Sequence, residues 1–272
     1  MDLRNYFARV SFKMNKVIFN GELVDEDAAQ VSFRNKDVQL GLSVFETMLA
    51  NNGEIKGFDL HMVRLQDGLE RLGINMMEAD LAGDVNILLA ANDLNDERVK
   101  VRITAICDFY MIEADVAPLR SEVSAVVLSE FIRNERSPVA GIKCGSYAEN
   151  IMALHEAQQA GVDEVIFLNS VGDVAECATA NVFIVKDGEL FTPDLESGCL
   201  PGVTRELVMR GARLLGVNVS EEKISLEDLL AADEVFLTNT QIGVQAVSSI
   251  GDLELDECPG VVTKMVKSAY LA

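Results

Sequence analysis

The 272-residue chain carries 44 acidic and 23 basic side chains, for a net charge of −21. At 49% hydrophobic and 25% charged it is globular, not disordered, and no apolar run reaches the length a bilayer demands. So negative a field repels nucleic acid and anionic membranes, which excludes both as partners, and an anionic ligand has to be gathered by local donors. The five cysteines, Cys107, Cys144, Cys177, Cys199 and Cys258, include no C-x-x-C pair, and the only histidines are His61 and His155. That excludes a zinc site and fits a reduced, cytoplasmic setting. Met1–Phe12 lacks the basic-then-apolar order of a signal peptide.

In chain order, Lys16–Phe19 and Glu22–Val24 flank Asn20-Gly21 and predict a hairpin. Val44–Leu49 and Ile55–Phe58 predict strands around the turn Asn51–Glu54. A helix follows from Asp59, with Met62, Leu65, Leu69 and Leu72 at helical spacing and Gly73 ending it. A second helix is expected over Ala79–Asn92, then strands over Val99–Cys107 and Glu122–Leu128. Phe131–Val139 is polar, contains Pro138 and lacks periodicity. It predicts a link at 131–139 between an N-terminal α/β domain, 1–130, and a C-terminal domain, 140–272.

Beyond the link, Ser146-Tyr147-Ala148-Glu149 has capping-box spacing and opens a helix that runs to Gly161. Short strands are expected at Glu164–Leu168, Val174–Cys177 and Asn181–Val185, with a hairpin turn at Asp187-Gly188. Thr204–Leu215 predicts a helix with Leu207, Val208, Gly211, Leu214 and Leu215 on one face. Ser225 opens a short helix, Glu234–Leu237 forms a strand, and Pro259 starts the last helix.

Four local features carry chemistry. Lys143 sits among small residues ahead of a helix, and a lysine amine is a nucleophile only when free of its proton. Glu176 lies among Val174, Ala175 and Cys177, and a carboxylate in that setting needs a partner. Val203 and Thr204 begin a helix after Gly202, where free N–H groups and the dipole favour an anion. Arg64 lies about 100° around its helix from the Leu65 stripe, at the flank of the apolar face.

These pieces form an ordered series: Gly41–Thr47, His61–Leu65, Lys143–Tyr147, Gly172–Glu176 with Asn181–Phe183, Leu200–Arg205 and Asp233–Thr240. The series resembles the fold-type IV pyridoxal-phosphate enzymes: branched-chain aminotransferases, D-amino-acid aminotransferases and aminodeoxychorismate lyases. The resemblance implies a two-domain α/β (α+β) fold, a smaller N-terminal and a larger C-terminal domain with pyridoxal 5′-phosphate in the cleft between them, and a homodimer. It implies that Lys143 carries the cofactor and later serves as general acid/base, that Glu176 holds the pyridine nitrogen, and that Tyr147 bonds the phenolic oxygen. Arg64, the Val203 and Thr204 amides, and Thr240 with Gln241 match the phosphate contacts. His61, Asn181 and Arg205 match structural positions.

The substrates implied are an amino acid and a 2-oxo acid, exchanged by a ping-pong route as in branched-chain aminotransferases. The alternatives are an aminodeoxychorismate lyase releasing pyruvate and 4-aminobenzoate, and a non-catalytic protein that kept the fold. Arg102, Leu40 and Phe45 fall at the substrate pocket. Arg102 is the candidate for the substrate carboxylate, with the Thr240–Gln241 amides as alternative donors. The chain departs from the family's substrate patterns: Lys100 stands where branched-chain enzymes carry tyrosine, Leu40 replaces an aromatic, and Ala105-Ile106 replaces the Arg-Gly pair of the other two groups.

Overall fold

The computed structural model describes residues 16–118, 121 and 123–271. Met1–Phe12, read above for a leader, lies outside them, as does Glu122 at the head of an expected strand. The chain divides into two units. One holds the described residues up to Pro118 together with Lys143–Ser146; the other holds the described residues from there to Ile142 and from Tyr147 onward.

The first unit contains β1 (Lys16–Phe19), β2 (Glu22–Asp25), α1 (Lys36–Leu40), β3 (Val44–Asn51), β4 (Glu54–Ile55), α2 (Phe58–Leu72), α3 (Leu81–Ala91), β5 (Arg98–Ile106) and β6 (Phe109–Val116). Its strands form one sheet in the order β2-β1-β6-β5-β3-β4. The Asn20-Gly21 turn forms as expected: both residues have positive φ, 51° and 81°, the geometry whose twist matches a two-residue hairpin. The expected strand Ile55–Phe58 is cut short. Gly57 sits at φ 73° and turns the chain, so that Phe58 already belongs to α2. Strand β5 alternates strictly. Val99, Val101, Ile103 and Ala105 are fully buried, while Arg98, Lys100, Arg102 and Thr104 line a half-exposed face. Helix α3 packs against β1 and β6, and α2 against β3.

The second unit contains β7 (Val123–Arg133), α4 (Ala148–Ala160), β8 (Glu164–Asn169), β9 (Val174–Cys177), β10 (Asn181–Lys186), β11 (Glu189–Pro193), α5 (Val203–Leu214), β12 (Val219–Glu222), α6 (Leu226–Leu230), β13 (Glu234–Asn239), β14 (Gly243–Ile250), β15 (Leu253–Glu254) and α7 (Val261–Leu271). The sheet order is β12-β11-β10-β13-β14-β7-β8-β9, with β15 paired to β14. Strand β7 runs parallel to both β14 and β8 and reaches Arg133, so the first residues of the polar stretch 131–139 belong to this sheet. The core of the unit is apolar and layered. One cluster runs through Val182, Ile184, Val235 and Leu237, a second packs Phe183 and Phe236 under α5 and α7, and a third sets α4 on Val165 and Phe167.

Two sequence expectations in this unit are corrected. Ser146 does not cap α4: the N-cap is Tyr147, whose side chain makes no capping bond to the first turn, and the Ser146 hydroxyl donates to the Gly41 carbonyl oxygen at 3.0 Å. The buried face of α5 is Val203, Thr204, Arg205, Val208, Met209 and Ala212, and Leu214 is 90% exposed. The stripe is rotated because Arg205, polar in sequence, finds a buried acceptor in the Pro193 carbonyl (2.9 Å) and pairs with the exposed Glu221 (2.7 Å). No helix among the described residues is long and apolar enough to cross a membrane.

Candidate active site

Lys143 is placed by backbone pairing. The segment Lys143–Ser146 runs antiparallel to the start of β3: Phe45 N–H donates to the Lys143 carbonyl at 2.9 Å, and Gly145 N–H to the Ser43 carbonyl at 2.8 Å. A Cβ at Gly145 would lie 2.0 Å from Ser43 Oγ, so a larger residue there has to turn that hydroxyl away. The Lys143 ammonium nitrogen then sits 4.5 Å from the centre of the Phe45 ring, and the Arg102 guanidinium carbon 3.8 Å from the same ring. Lys143 and Arg102 thus both lie against the Phe45 ring. Arg102 also bonds Thr104 Oγ1 at 3.2 Å and lies 3.9 Å from Glu113. Leu40 is at the exposed C-terminal end of α1.

Arg64 is held by a carboxylate to which sequence analysis assigned no role. Its Nε and Nη2 donate to the two oxygens of Glu46, each at 2.7 Å, and His61 Nδ1 is 2.7 Å from Glu46 Oε2. Glu46 and His61 are fully buried. Burial raises the Glu46 pKa, but the Arg64 and His61 bonds outweigh it and bring the group down to about 2. Burial lowers the His61 pKa against the pull of Glu46, so the ring is neutral at neutral pH and Nδ1 donates. Period-2 alternation could have exposed Glu46, which shares a face with Val44, Met48 and Ala50 and therefore points inward. Because the folded pKa lies below the ordinary 4.5, Glu46 stabilises the fold fully above pH 4.5, and this contribution disappears as pH falls toward 2. Acid titration of stability is expected to show that loss in the wild type and to lack it in Glu46→Gln.

In the second unit the expected residues converge on two turns. Glu176, on β9, has a side chain 12% exposed. Its Oε2 accepts from Leu200 N–H at 2.9 Å, and its Oε1 is 3.3 Å from Arg133 Nε. The Leu200 carbonyl accepts from Asn181 Nδ2 at 2.8 Å, so Asn181 braces the segment that meets Glu176. Two residues on, Gly202 is the N-cap of α5. A Cβ there would stand 2.0 Å from Asn181 Oδ1, and glycine offers no side-chain acceptor to the first-turn N–H groups of Val203 and Thr204.

The second turn is Ala178-Thr179. Tyr147 Oη and Asn150 Nδ2 both donate to the Ala178 carbonyl, at 2.9 and 2.6 Å. Glu164, which the sequence did not single out, lies beneath: it accepts from Ala178 N–H at 3.1 Å and Thr179 N–H at 3.0 Å, and burial pushes its carboxyl up to about 7. Asn239 Nδ2 ties the same turn to the end of β13 through the Thr179 carbonyl at 3.1 Å. Thr240 and Gln241 follow it, half-buried. The Gln241 backbone N–H donates to Asn239 Oδ1 at 2.9 Å, so in this structure that amide serves the turn.

The first unit thus holds a lysine beside an aromatic ring and an arginine gripped by both oxygens of one carboxylate, and the second holds a carboxylate 12% exposed and a glycine-capped helix start. Residues 43–250 match the family model "Amino-transferase class IV". The chain is 30% identical over 288 residues to the branched-chain-amino-acid aminotransferase of Escherichia coli K12, covering 95% of this chain and 92% of that one. It is 29% identical over 277 residues to a D-alanine aminotransferase of Listeria monocytogenes, covering 94% and 95%. The structure resembles a branched-chain aminotransferase of Thermoproteus uzoniensis crystallised with norvaline, with TM-score 0.89 and 31% identity, covering 94% of this chain and 93% of that one. The chain belongs to the class IV aminotransferase family, and its mixed α/β fold is that of these enzymes.

Proposed function

We propose that this aminotransferase uses pyridoxal 5′-phosphate to move an amino group between an amino acid and a 2-oxo acid of the branched-chain aminotransferase type, by a ping-pong route. The observation that carries it is the path from Glu176 to α5. The buried carboxylate is held by Leu200 N–H, three residues before the Val203 N–H and a glycine cap that leaves the helix start to an outside anion. An acid for a ring nitrogen and donors for a phosphate are thus tied together through Leu200, and these residues fit the cofactor. When bound, it supplies an electron sink for the charge that develops at the substrate Cα.

The protein's part is binding, orientation and proton movement. Lys143 would hold the cofactor, and its amine would move the proton at the substrate Cα. Glu176 stays ionised to hold the ring-nitrogen proton, and Tyr147 orients the phenolic oxygen. Arg64, fixed by Glu46, and Val203, Thr204, Thr240 and Gln241 are the phosphate ligands that the family resemblance implies. Five free cysteines support a reduced, cytoplasmic setting, and the family resemblance supports a homodimer. The test is amino-donor-dependent formation of glutamate from 2-oxoglutarate by purified enzyme. A branched-chain donor is expected to support it; release of pyruvate from aminodeoxychorismate without any oxo-acid acceptor would instead mark a lyase.

Arg102 is proposed to meet the substrate carboxylate, with Phe45 and Leu40 at the same pocket. Its guanidinium cannot lose its charge, and its stacking on Phe45 places it on the ring that also faces the Lys143 amine. Arg102→Met is expected to weaken kcat/KM by roughly 2–4 kcal/mol in transition-state terms, the range for truncating one partner of a charge pair. Cofactor affinity, measured by fluorescence titration, is expected to stay near wild type, since the phosphate donors lie elsewhere. Normal kinetics, or lost cofactor, counts against this role.

A further inference from the structure

Arg133 closes β7 and is absent from the site expected from sequence. Its side chain is 11% exposed and has three neighbours that fix it. Nη1 pairs with Glu149 of α4, the guanidinium carbon lies 4.2 Å over the Phe167 ring, and Nε is 3.3 Å from Glu176 Oε1. The Nε–Glu176 approach lacks hydrogen-bond alignment, so the hold is Coulombic. Glu149 and Phe167 take the far edge and the face of the guanidinium, and the Nε edge is therefore kept on Glu176. Two thiols beside Glu176 are held neutral. Burial first, then the Glu164 and Glu176 charges, pushes Cys177 well up, and burial with Glu176 pushes Cys199 up to about 12.

We infer that Arg133 is a positioning residue that keeps Glu176 ionised and so keeps the shared proton on the ring nitrogen of bound pyridoxal phosphate. This rests on the role given to Glu176 above. A carboxylate and a pyridine that share one proton can place it on either partner. A permanent cation 3.3 Å from the carboxylate favours the ionised acid and hence the proton on nitrogen. The same cation opposes a charged ring, but Coulomb energy falls with distance and Arg133 is against the carboxylate, so the favourable interaction is the larger. Lys at this position keeps the charge and loses the planar fork.

The test uses holoenzyme reconstituted with cofactor labelled with 15N in the ring, and reads the nitrogen resonance by NMR. Wild type and Arg133→Lys are expected at the protonated position. Arg133→Met and Glu176→Gln are both expected to move toward the unprotonated position, while the thermal unfolding of cofactor-free Arg133→Met stays close to wild type. If Arg133→Met does not fold, Arg133→Gln carries the comparison, because its amide still reaches the carboxylates without charge. A wild-type resonance in the uncharged Arg133 variant beside a shifted one in Glu176→Gln overturns the role of Arg133 alone. An unshifted resonance in Glu176→Gln overturns the role of Glu176 and this inference with it.

Discussion

Lys143→Ala is expected to slow turnover by at least roughly 10⁴-fold, because in the role proposed for Lys143 it removes both the nucleophile and the group that moves the Cα proton. The fold is expected to survive. What anchors the 143–146 segment is backbone: the Lys143 carbonyl accepting from Phe45 N–H, and Gly145 N–H donating to Ser43. Alanine keeps both bonds. The side chain gives up its contact with the Phe45 ring, an exchange of one cation–π contact of about 0.5–1 kcal/mol at a half-exposed position. Steady-state kinetics alongside thermal unfolding check the pair of expectations. Lost activity with an unchanged melting transition supports the assignment; turnover within tenfold of wild type removes Lys143 from the chemistry.

Glu176→Gln is expected to slow proton removal at the substrate Cα by roughly 10²–10³-fold, the usual cost of deleting one preorganised charge or donor where transition-state charge develops. Glutamine keeps the shape, and its carbonyl oxygen can still accept from Leu200 N–H, so the path into α5 stays braced. What is lost is the anion proposed to hold the ring-nitrogen proton. Arg133 also loses its partner at 3.3 Å and is left a buried cation with Glu149 for company. Single-turnover kinetics with a Cα-deuterated amino acid isolates the step: a larger isotope effect and a slower rate are expected. Near-wild-type rates mean that the ring nitrogen is held by another group.

Much of the architecture was legible because it is written in short-range signals. Asn20-Gly21 and Asp187-Gly188 both take the positive-φ hairpin geometry their sequence demands, with strand partners Phe19–Glu22 and Lys186–Glu189. The ends of α2 and α4 fall at Gly73 and Gly161, both in the left-handed region. Lys143, Glu176 and the α5 start were picked out less by their local context than by their place in the ordered series that resembles the family, and their roles are proposed on that resemblance.

What was not legible depends on partners distant in the chain. Glu46 acquires its meaning from His61 and Arg64, 15 and 18 residues on. Glu164 looks like an ordinary first residue of a strand until the 178–179 turn folds onto it. Arg133, taken as part of a polar link, becomes a buried cation only when β7 pairs with β8 and brings it to Glu149 and Glu176. The α5 face was misread because helical periodicity counts apolar side chains, and there the buried stripe includes an arginine whose charge is met by Glu221.

The central claim is that Lys143 bears the cofactor, and borohydride trapping tests it most directly. Purified enzyme with pyridoxal phosphate is reduced, digested and mapped by mass spectrometry. The expected result is loss of the visible absorbance band and one modified peptide, with the added phosphopyridoxyl mass on Lys143. Modification of a different lysine, or a reduced protein that carries no label, contradicts the account.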